Sequence, residues 1–306
     1  MRRSHHYLDF RAMVILVVLC ASWGLQQISI KVAIAGISPV LQAGIRSAGA
    51  AALVLCWMLA RKEKVLAQDG TLRWGILIGT LFSIEFVFIY WGLEFTHASR
   101  SVIFMYTMPF FTAVGAHLFI AGEQLKAAQV AGLCCAFLGT LTAFSESLGL
   151  SDPRMLIGDS MLMFSALLWA AVTVIIKAGR LSQIRASKTL LYQLAVSALL
   201  LPACSLMMGE PGIIRITPLI AGCMIYQVVW VAFITYLAWF WLINNYPAAR
   251  ISAFLFLTPM FGVLEGAVLL EETLSRKLLI ALAMVSVGIY LVNRRHAKMS
   301  VAVQPK

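Results

Sequence analysis

The sequence predicts an all-α membrane protein of ten transmembrane helices, arranged as two inverted five-helix repeats around a central cavity. Three observations predict it: 61% of the 306 residues are hydrophobic and only 12% charged, ten apolar runs approach bilayer-spanning length, and the chain nearly repeats itself 150 residues apart. A soluble domain is nearer half apolar and a quarter charged. At the 150-residue offset Trp91, Ala98, Arg100, Phe104, Pro109 and Phe111 meet Trp241, Ala248, Arg250, Phe254, Pro259 and Phe261. A duplicated apolar unit with a proline at the same depth in each copy is how many secondary transporters are built.

A hydrocarbon core about 30 Å thick takes roughly 20 residues of helix. Span 1 (12–34) is too long for the apolar part of a signal peptide, and no small-residue cleavage site in a polar setting follows it, so it is expected to stay in the mature chain. Spans 2 to 5 follow at 40–60, 74–93, 98–120 and 125–144. The segment SESLGLSDPR (145–154) is polar, contains Gly and Pro, and separates five spans from five. Spans 6 to 10 are expected at 155–177, 189–208, 218–243, 248–270 and 278–292, giving repeats over 1–146 and 155–296 and a tail over 297–306. Because five is odd, the second copy must enter the bilayer from the opposite side.

With the N-terminus inside, the inner segments hold sixteen Lys and Arg and the outer loops five. That bias obeys the positive-inside rule and predicts cytoplasmic N- and C-termini. The net charge of +11 therefore orients the chain in lipid and requires no nucleic acid. All six cysteines lie inside apolar runs, where thiols act as small hydrophobes, so no disulfide framework, metal site or cofactor is expected. No HExxH, Walker or GxSxG pattern occurs, which disfavours a membrane protease, ATPase or lipase, and the chain reads as no enzyme.

Two further offsets support the duplication: Trp23 and Lys31 meet Trp169 and Lys177 at 146, and Glu123, Leu125 and Gly139 meet Glu272, Leu274 and Gly288 at 149. On these residues, with Gly24, Pro39, Arg46 and Gly132, the chain resembles the EamA-type family of the drug/metabolite transporter superfamily. It is most similar there to the bacterial aromatic amino-acid exporters of the YddG type. The resemblance implies a ten-helix basket whose cavity is lined by spans 1, 3, 4, 6, 8 and 9, with spans 5 and 10 at the periphery. It implies export of aromatic or other hydrophobic amino acids and related metabolites across the bacterial plasma membrane by alternating access. The repeat fails at Arg46, whose counterpart is Tyr192, and at Glu85, whose counterpart is Thr235.

The residues supply candidate roles. Pro109 and Pro259 free the carbonyls of Met105 and Leu255, and such groups need protein or cavity water to satisfy them, so both prolines are candidates for gating; a static kink is the plainer reading. Glu85 is the one acidic residue near the middle of a span, where a charge costs about 2.5–3.5 kcal/mol. It is expected to face a wet interior and to carry protons or bind a substrate amine, or else to bridge two helices as a protonated carboxyl. Arg46 and Glu265 are a candidate ion pair closing the outer mouth, with snorkelling to headgroups the alternative for Arg46 and for Lys31; Lys177 and His117 read as interfacial.

Tyr226, Trp230 and Phe233 recur at helical spacing, as do Trp23 and Gln27. The candidate substrate site is Trp23, Gln27, Glu85, Phe88, Tyr106, Trp169, Tyr226, Trp230 and Phe256, suited to a flat apolar solute with a polar head. The expected partners are that small molecule, membrane lipids and protons as coupling ion. Multidrug cation efflux, with Glu85 binding the cation, and a non-transporting membrane scaffold are the alternatives.

Overall fold

Ten helical passes follow from the ten apolar runs. The computed structural model describes residues 7–65, 69–96, 98–148, 152–270 and 276–294. Eight of the passes are long and apolar enough to cross a bilayer, and two shorter apolar helices lie over Ala127–Ala143 and Lys277–Asn293. Spans 1 to 3 are Phe10–Ile34, Pro39–Ala60 and Leu72–Phe95. Spans 6 and 7 are Met155–Ala178 and Ala186–Met207. Span 2 begins on Pro39, the position where a missing N–H costs nothing, and the Glu210 carboxylate accepts from the next free donors, Val40 N at 3.0 Å and Leu41 N at 3.1 Å. The expected matches Glu272 and Leu274 and the tail 297–306 lie outside the described residues.

Spans 4 and 9, which carry Pro109 and Pro259, are broken, each in its own way. Span 4 divides into Ala98–Met105 and Met108–Phe119, and the Phe104 carbonyl in the break is taken up by Thr107 Oγ1 at 2.6 Å. Span 9 runs as Ala248–Ala253, a 3₁₀ turn over Phe254–Phe256, then Leu257–Leu270. There the Phe254 carbonyl accepts from Cys20 Sγ at 3.2 Å.

Span 8 contains a feature that apolar periodicity did not predict. Between Pro218–Ile225 and Tyr236–Asn245 its middle, Tyr226–Thr235, is a π-helix. A π-helix takes more residues per turn than an α-helix, so residues four apart remain neighbours while residues seven apart diverge. Tyr226 and Trp230 accordingly stay together and both bond Ser22, through the Tyr226 hydroxyl to its carbonyl (2.8 Å) and Trp230 Nε1 to its Oγ (2.8 Å). Phe233 leaves that face and packs edge-on against Trp57 of span 2. The expected Tyr226–Trp230–Phe233 stripe is thereby split.

The packing maps onto itself when the halves are exchanged. Span 1 packs on span 9 as span 6 packs on span 4, span 3 packs on span 6 as span 8 packs on span 1, and spans 5 and 10 pack on each other. The span 5–span 10 crossing shows the inversion directly. A Cβ on Gly132 would lie 2.7 Å from the Gly288 carbonyl oxygen, and one on Gly139 would lie 2.9 Å from that of Ala281. Position 132 thus meets 288 while 139 meets 281, so the two helices run antiparallel, and these two contacts are equivalents at the 149-residue offset. Small residues are needed because no side chain fits between backbones that close.

A central cavity with one sealed end

A cavity of about 610 Å³ lies where the two halves meet. Span 1 contributes Trp23, Gln26, Gln27 and Lys31, and span 3 contributes Phe82, Glu85, Phe86 and Tyr90. Span 4 adds Ser101 and Tyr106, span 6 adds Trp169 and Thr173, span 8 adds Tyr236, Trp239 and Phe240, and span 9 adds Thr258 and Pro259. Gln193 of span 7 and Phe144 at the end of span 5 complete the wall.

Trp23 is the centre of the aromatic lining. Its Nε1 donates to Thr235 Oγ1 at 2.9 Å, which fixes the ring in place. Around it stand Trp239 at 5.5 Å and Tyr236 at 6.0 Å, both edge-on, and Trp169 at 6.3 Å. Trp23 and Trp169 are matched across the repeat, so inversion brings one tryptophan from each half to the same place. Aromatic edges and faces at these separations suit a flat apolar solute.

The polar groups are few. Among the charged side chains of the described residues, only Glu85 and Lys31 line the cavity. Glu85 is 4% exposed, and its Oε2 makes no hydrogen bond among the described residues; nor does Oε1 of Gln193. Arg46 stands directly behind the wall, 1% exposed, with its guanidinium 4.5 Å from the Phe86 ring centroid and 6.0 Å from that of Tyr236. It lies within electrostatic reach of Glu85, and its Nε and Nη2 find no hydrogen-bond partner among the described residues. One turn before it, Gln42 donates to Gln227 Oε1 at 3.0 Å, and Gln227 donates to Ser29 at 3.1 Å, a buried amide chain linking spans 2, 8 and 1.

The two ends of the cavity differ. At one end lie exposed Lys31 and Ile34, where the cavity reaches the protein surface. At the other, Ile176 and Ile243 are fully buried, and beyond them Lys177 Nζ meets Glu123 Oε1 at 3.0 Å. Lys177 also donates to the Ile243 carbonyl at 2.9 Å and to that of Tyr246, while Glu123 Oε2 accepts from Ala248 N at 2.6 Å. A cation at the C-terminal carbonyls of span 8 and an anion at the N-terminus of span 9 are each where the helix dipole favours them. One ion pair thus ties the loop after span 4 to spans 6, 8 and 9. Lys177 is therefore held in a largely buried ion pair, a latch in geometry, rather than lying free at the interface.

The other predicted residues divide clearly. Trp23, Gln27, Glu85, Tyr106, Trp169 and Pro259 are brought together around the cavity. Phe88 points to the other side of span 3 and packs on Phe164 at 5.0 Å. Tyr226 and Trp230 brace span 1 through Ser22, and Phe256 is wholly buried against Phe110 and Phe137. Pro109 is buried within span 4. No Arg46–Glu265 ion pair forms among the described residues: Glu265 lies against span 1, where a Cβ on Gly24 would come within 2.8 Å of its Oε2. The wall residues left out of the expected set include Tyr236, Trp239 and Gln193, which depend on how helices rotate about one another.

Below the latch, the loop after span 2 is fastened to the start of span 7. Arg185 meets Glu63 at 2.6 Å and Lys188 meets Asp69 at 2.6 Å. The Lys188 hydrogen bond, with that of Thr71, holds the Asp69 carboxyl down at about 2.

The sequence profile of the EamA-like transporter family matches residues 10–145 and again 156–294. The chain is 25% identical to the "Uncharacterized transporter YoaV" of Bacillus subtilis, over 88% of this chain and 92% of that one. It is 27% identical to a "Probable amino-acid metabolite efflux pump" of Salmonella typhimurium (92% and 93% covered) and 24% identical to one of Escherichia coli (91% and 93%). A crystal structure at 19% identity superposes with a TM-score of 0.81 over 93% of this chain and 96% of that one, a likeness of fold.

Proposed function

The chain belongs to the EamA-like transporter family, and we propose that it exports amino acids with aromatic or other hydrophobic side chains, and related small metabolites, across the bacterial plasma membrane. The observation that carries the substrate class is the cavity itself: one carboxylate, one ammonium and neutral amides set in a wall of tryptophan, tyrosine and phenylalanine. A zwitterion with a flat side chain needs that combination, since its opposite charges must each find a partner when water is left behind. Two relatives named as probable amino-acid metabolite efflux pumps support the same direction and class.

The mechanism is alternating access. With both termini in the cytoplasm, the Lys31 mouth faces outward and the Lys177–Glu123 latch seals the cytoplasmic side. The repeat supplies the same lysine at the opposite end, so the two halves can exchange roles by rocking about the cavity. Glu85 is the candidate proton carrier, being a buried carboxyl that reaches the cavity.

The test is counterflow in proteoliposomes over a panel of amino acids, with and without a pH gradient. Accelerated exchange of aromatic and branched amino acids is expected, and Glu85→Gln should remove the response to the pH gradient while leaving expression and folding intact. Counterflow driven only by organic cations would replace this reading with multidrug efflux. An absence of any flux would leave a membrane scaffold.

A further inference from the structure

Arg46 is the most buried charged side chain described in the protein, yet it makes no ion pair among the described residues. A lone buried cation in a membrane protein is costly, and its nearest described compensation comes from two sources. The Phe86 and Tyr236 rings cover it by cation–π contact, and the Glu85 carboxyl lies within electrostatic reach of it. Of the other charges around this end, Glu265 lies against span 1 with its Oε2 unpartnered among the described residues. Glu210 is engaged by Val40 N, Leu41 N and Ser205 Oγ (2.6 Å), and Lys31 sits at the exposed mouth. The cavity wall here thus carries the carboxyl of Glu85, with the Arg46 guanidinium buried behind it, and the two form no salt bridge among the described residues. Each keeps polar atoms without partners among the described residues: Nε and Nη2 on Arg46, Oε2 on Glu85, with Oε1 of Gln193 in the same wall.

We propose that Arg46 is the specificity-determining residue of this cavity: it balances Glu85 electrically, so that the site accepts net-neutral zwitterions and rejects organic cations. This rests on the amino-acid reading above and adds the charge rule that selects within it. Without Arg46, Glu85 would face the cavity as an uncompensated carboxylate, and an amine lacking a carboxyl group would be its best ligand. With Arg46 in place, a lone cation gains the attraction of Glu85 but meets the repulsion of the guanidinium behind it. A zwitterion can turn its ammonium to Glu85 and its carboxylate toward Arg46. Arg46 acts here through the field it sets at Glu85 and need not touch the solute.

The experiment compares three solutes sharing one aromatic body: the amino acid, its decarboxylated amine and its deaminated acid. Competition of each against labelled amino acid is measured in proteoliposomes for the unaltered protein, Arg46→Met, Arg46→Lys and Glu85→Gln. The unaltered protein should prefer the amino acid over both analogues. Arg46→Met should shift the amine-to-amino-acid preference toward the amine by at least about tenfold, the effect of one unit charge about 12 Å away at an effective dielectric of about 20. Arg46→Lys, which keeps the charge, should preserve the original order. Glu85→Gln should shift preference the other way, toward the deaminated acid, which tests the rule even where Arg46→Met fails to fold. A loss of affinity shared equally by all three solutes in both variants would make Arg46 a purely structural residue and overturn the proposal. Failure of the unaltered protein to take up any of the three would instead remove the amino-acid reading on which it stands.

Discussion

Glu123→Gln tests whether the Lys177 end is held shut by its ion pair. The substitution keeps the side-chain size and one carbonyl oxygen able to accept from Ala248 N, and removes the charge 3.0 Å from Lys177 Nζ. Lys177 and Glu123 are 11% and 10% exposed, so solvent screens the pair little. Removing one partner of a fully buried pair costs about 3–5 kcal/mol. Lys177 here keeps the carbonyls of Ile243 and Tyr246, so the loss is nearer that of one charged hydrogen bond, about 2 kcal/mol. At 1.4 kcal/mol per decade this makes opening at that end about 30-fold more favourable. The assay is the labelling rate of Ile243→Cys, in protein stripped of its six native cysteines, by a membrane-impermeant thiol reagent applied from the Lys177 side. Ile243 is 1% exposed and lines the cavity, so its reaction reports opening. Glu123→Gln and Lys177→Met should both raise the rate by about an order of magnitude, the part of the shift that local opening exposes. A change below about twofold in both would show that hydrophobic packing at Ile176 and Ile243, and not the ion pair, makes the seal.

Two further outcomes follow from the frame. Gly288→Ala places a Cβ 2.5 Å from the Gly132 carbonyl and 2.7 Å from Ala136 Cβ, so it should destabilise the protein by about 1–3 kcal/mol in a detergent melt, whereas Gly222→Ala, with nothing within 4 Å, should leave the melt unchanged. Asp69, held down at about 2 against an ordinary value near 3.9, stabilises the fold fully above about pH 4 and progressively less as pH falls toward 2. Its side chain is 32% exposed, so the effect should stay below about 1 kcal/mol. Melting between pH 6 and pH 3 should show an acid loss that Asp69→Asn lacks; equal loss in both would place the acid sensitivity elsewhere.

The number of spans was legible because bilayer thickness acts on every helix alike and leaves apolar runs near the length that crosses it. The inversion was legible because an odd span count and matched Trp, Lys, Pro and Glu positions admit one arrangement. What could not be read is whatever depends on a helix departing from 3.6 residues per turn, or on how one helix is rotated against another. The π-helix at Tyr226–Thr235 splits an aromatic stripe that α-helical spacing would align, and it arises within an unbroken apolar run. Phe88 and Phe256 are aromatic residues of cavity-forming spans that point away from the cavity, a matter of rotation alone. Lys177 looked interfacial because it stands at the end of an apolar run, and its acid comes from a loop 54 residues earlier in the chain.

The same limits bear on Arg46 and Glu85. Each was conspicuous as a place where the repeat fails, with Tyr192 and Thr235 as the respective counterparts, yet Arg46 was paired with Glu265 on span order alone. The structure sets the two exceptions within electrostatic reach of each other, while their counterparts take neutral work: Thr235 accepts from Trp23, and the Tyr192 hydroxyl meets Thr71 Oγ1 at 3.2 Å. A duplicated frame that moves symmetrically gains nothing from charge in both halves, because two copies would put two buried carboxylates and two arginines around one solute. Confining both charges to the first half keeps the frame symmetric for motion and the cavity asymmetric for recognition. On that account, restoring symmetry should be harmful in a specific way. Thr235→Glu, which places an acid at the position equivalent to Glu85, should weaken amino-acid competition and strengthen that of the decarboxylated amine. A variant that folds and transports with unchanged preference would show that the asymmetry of charge is not what selects the solute.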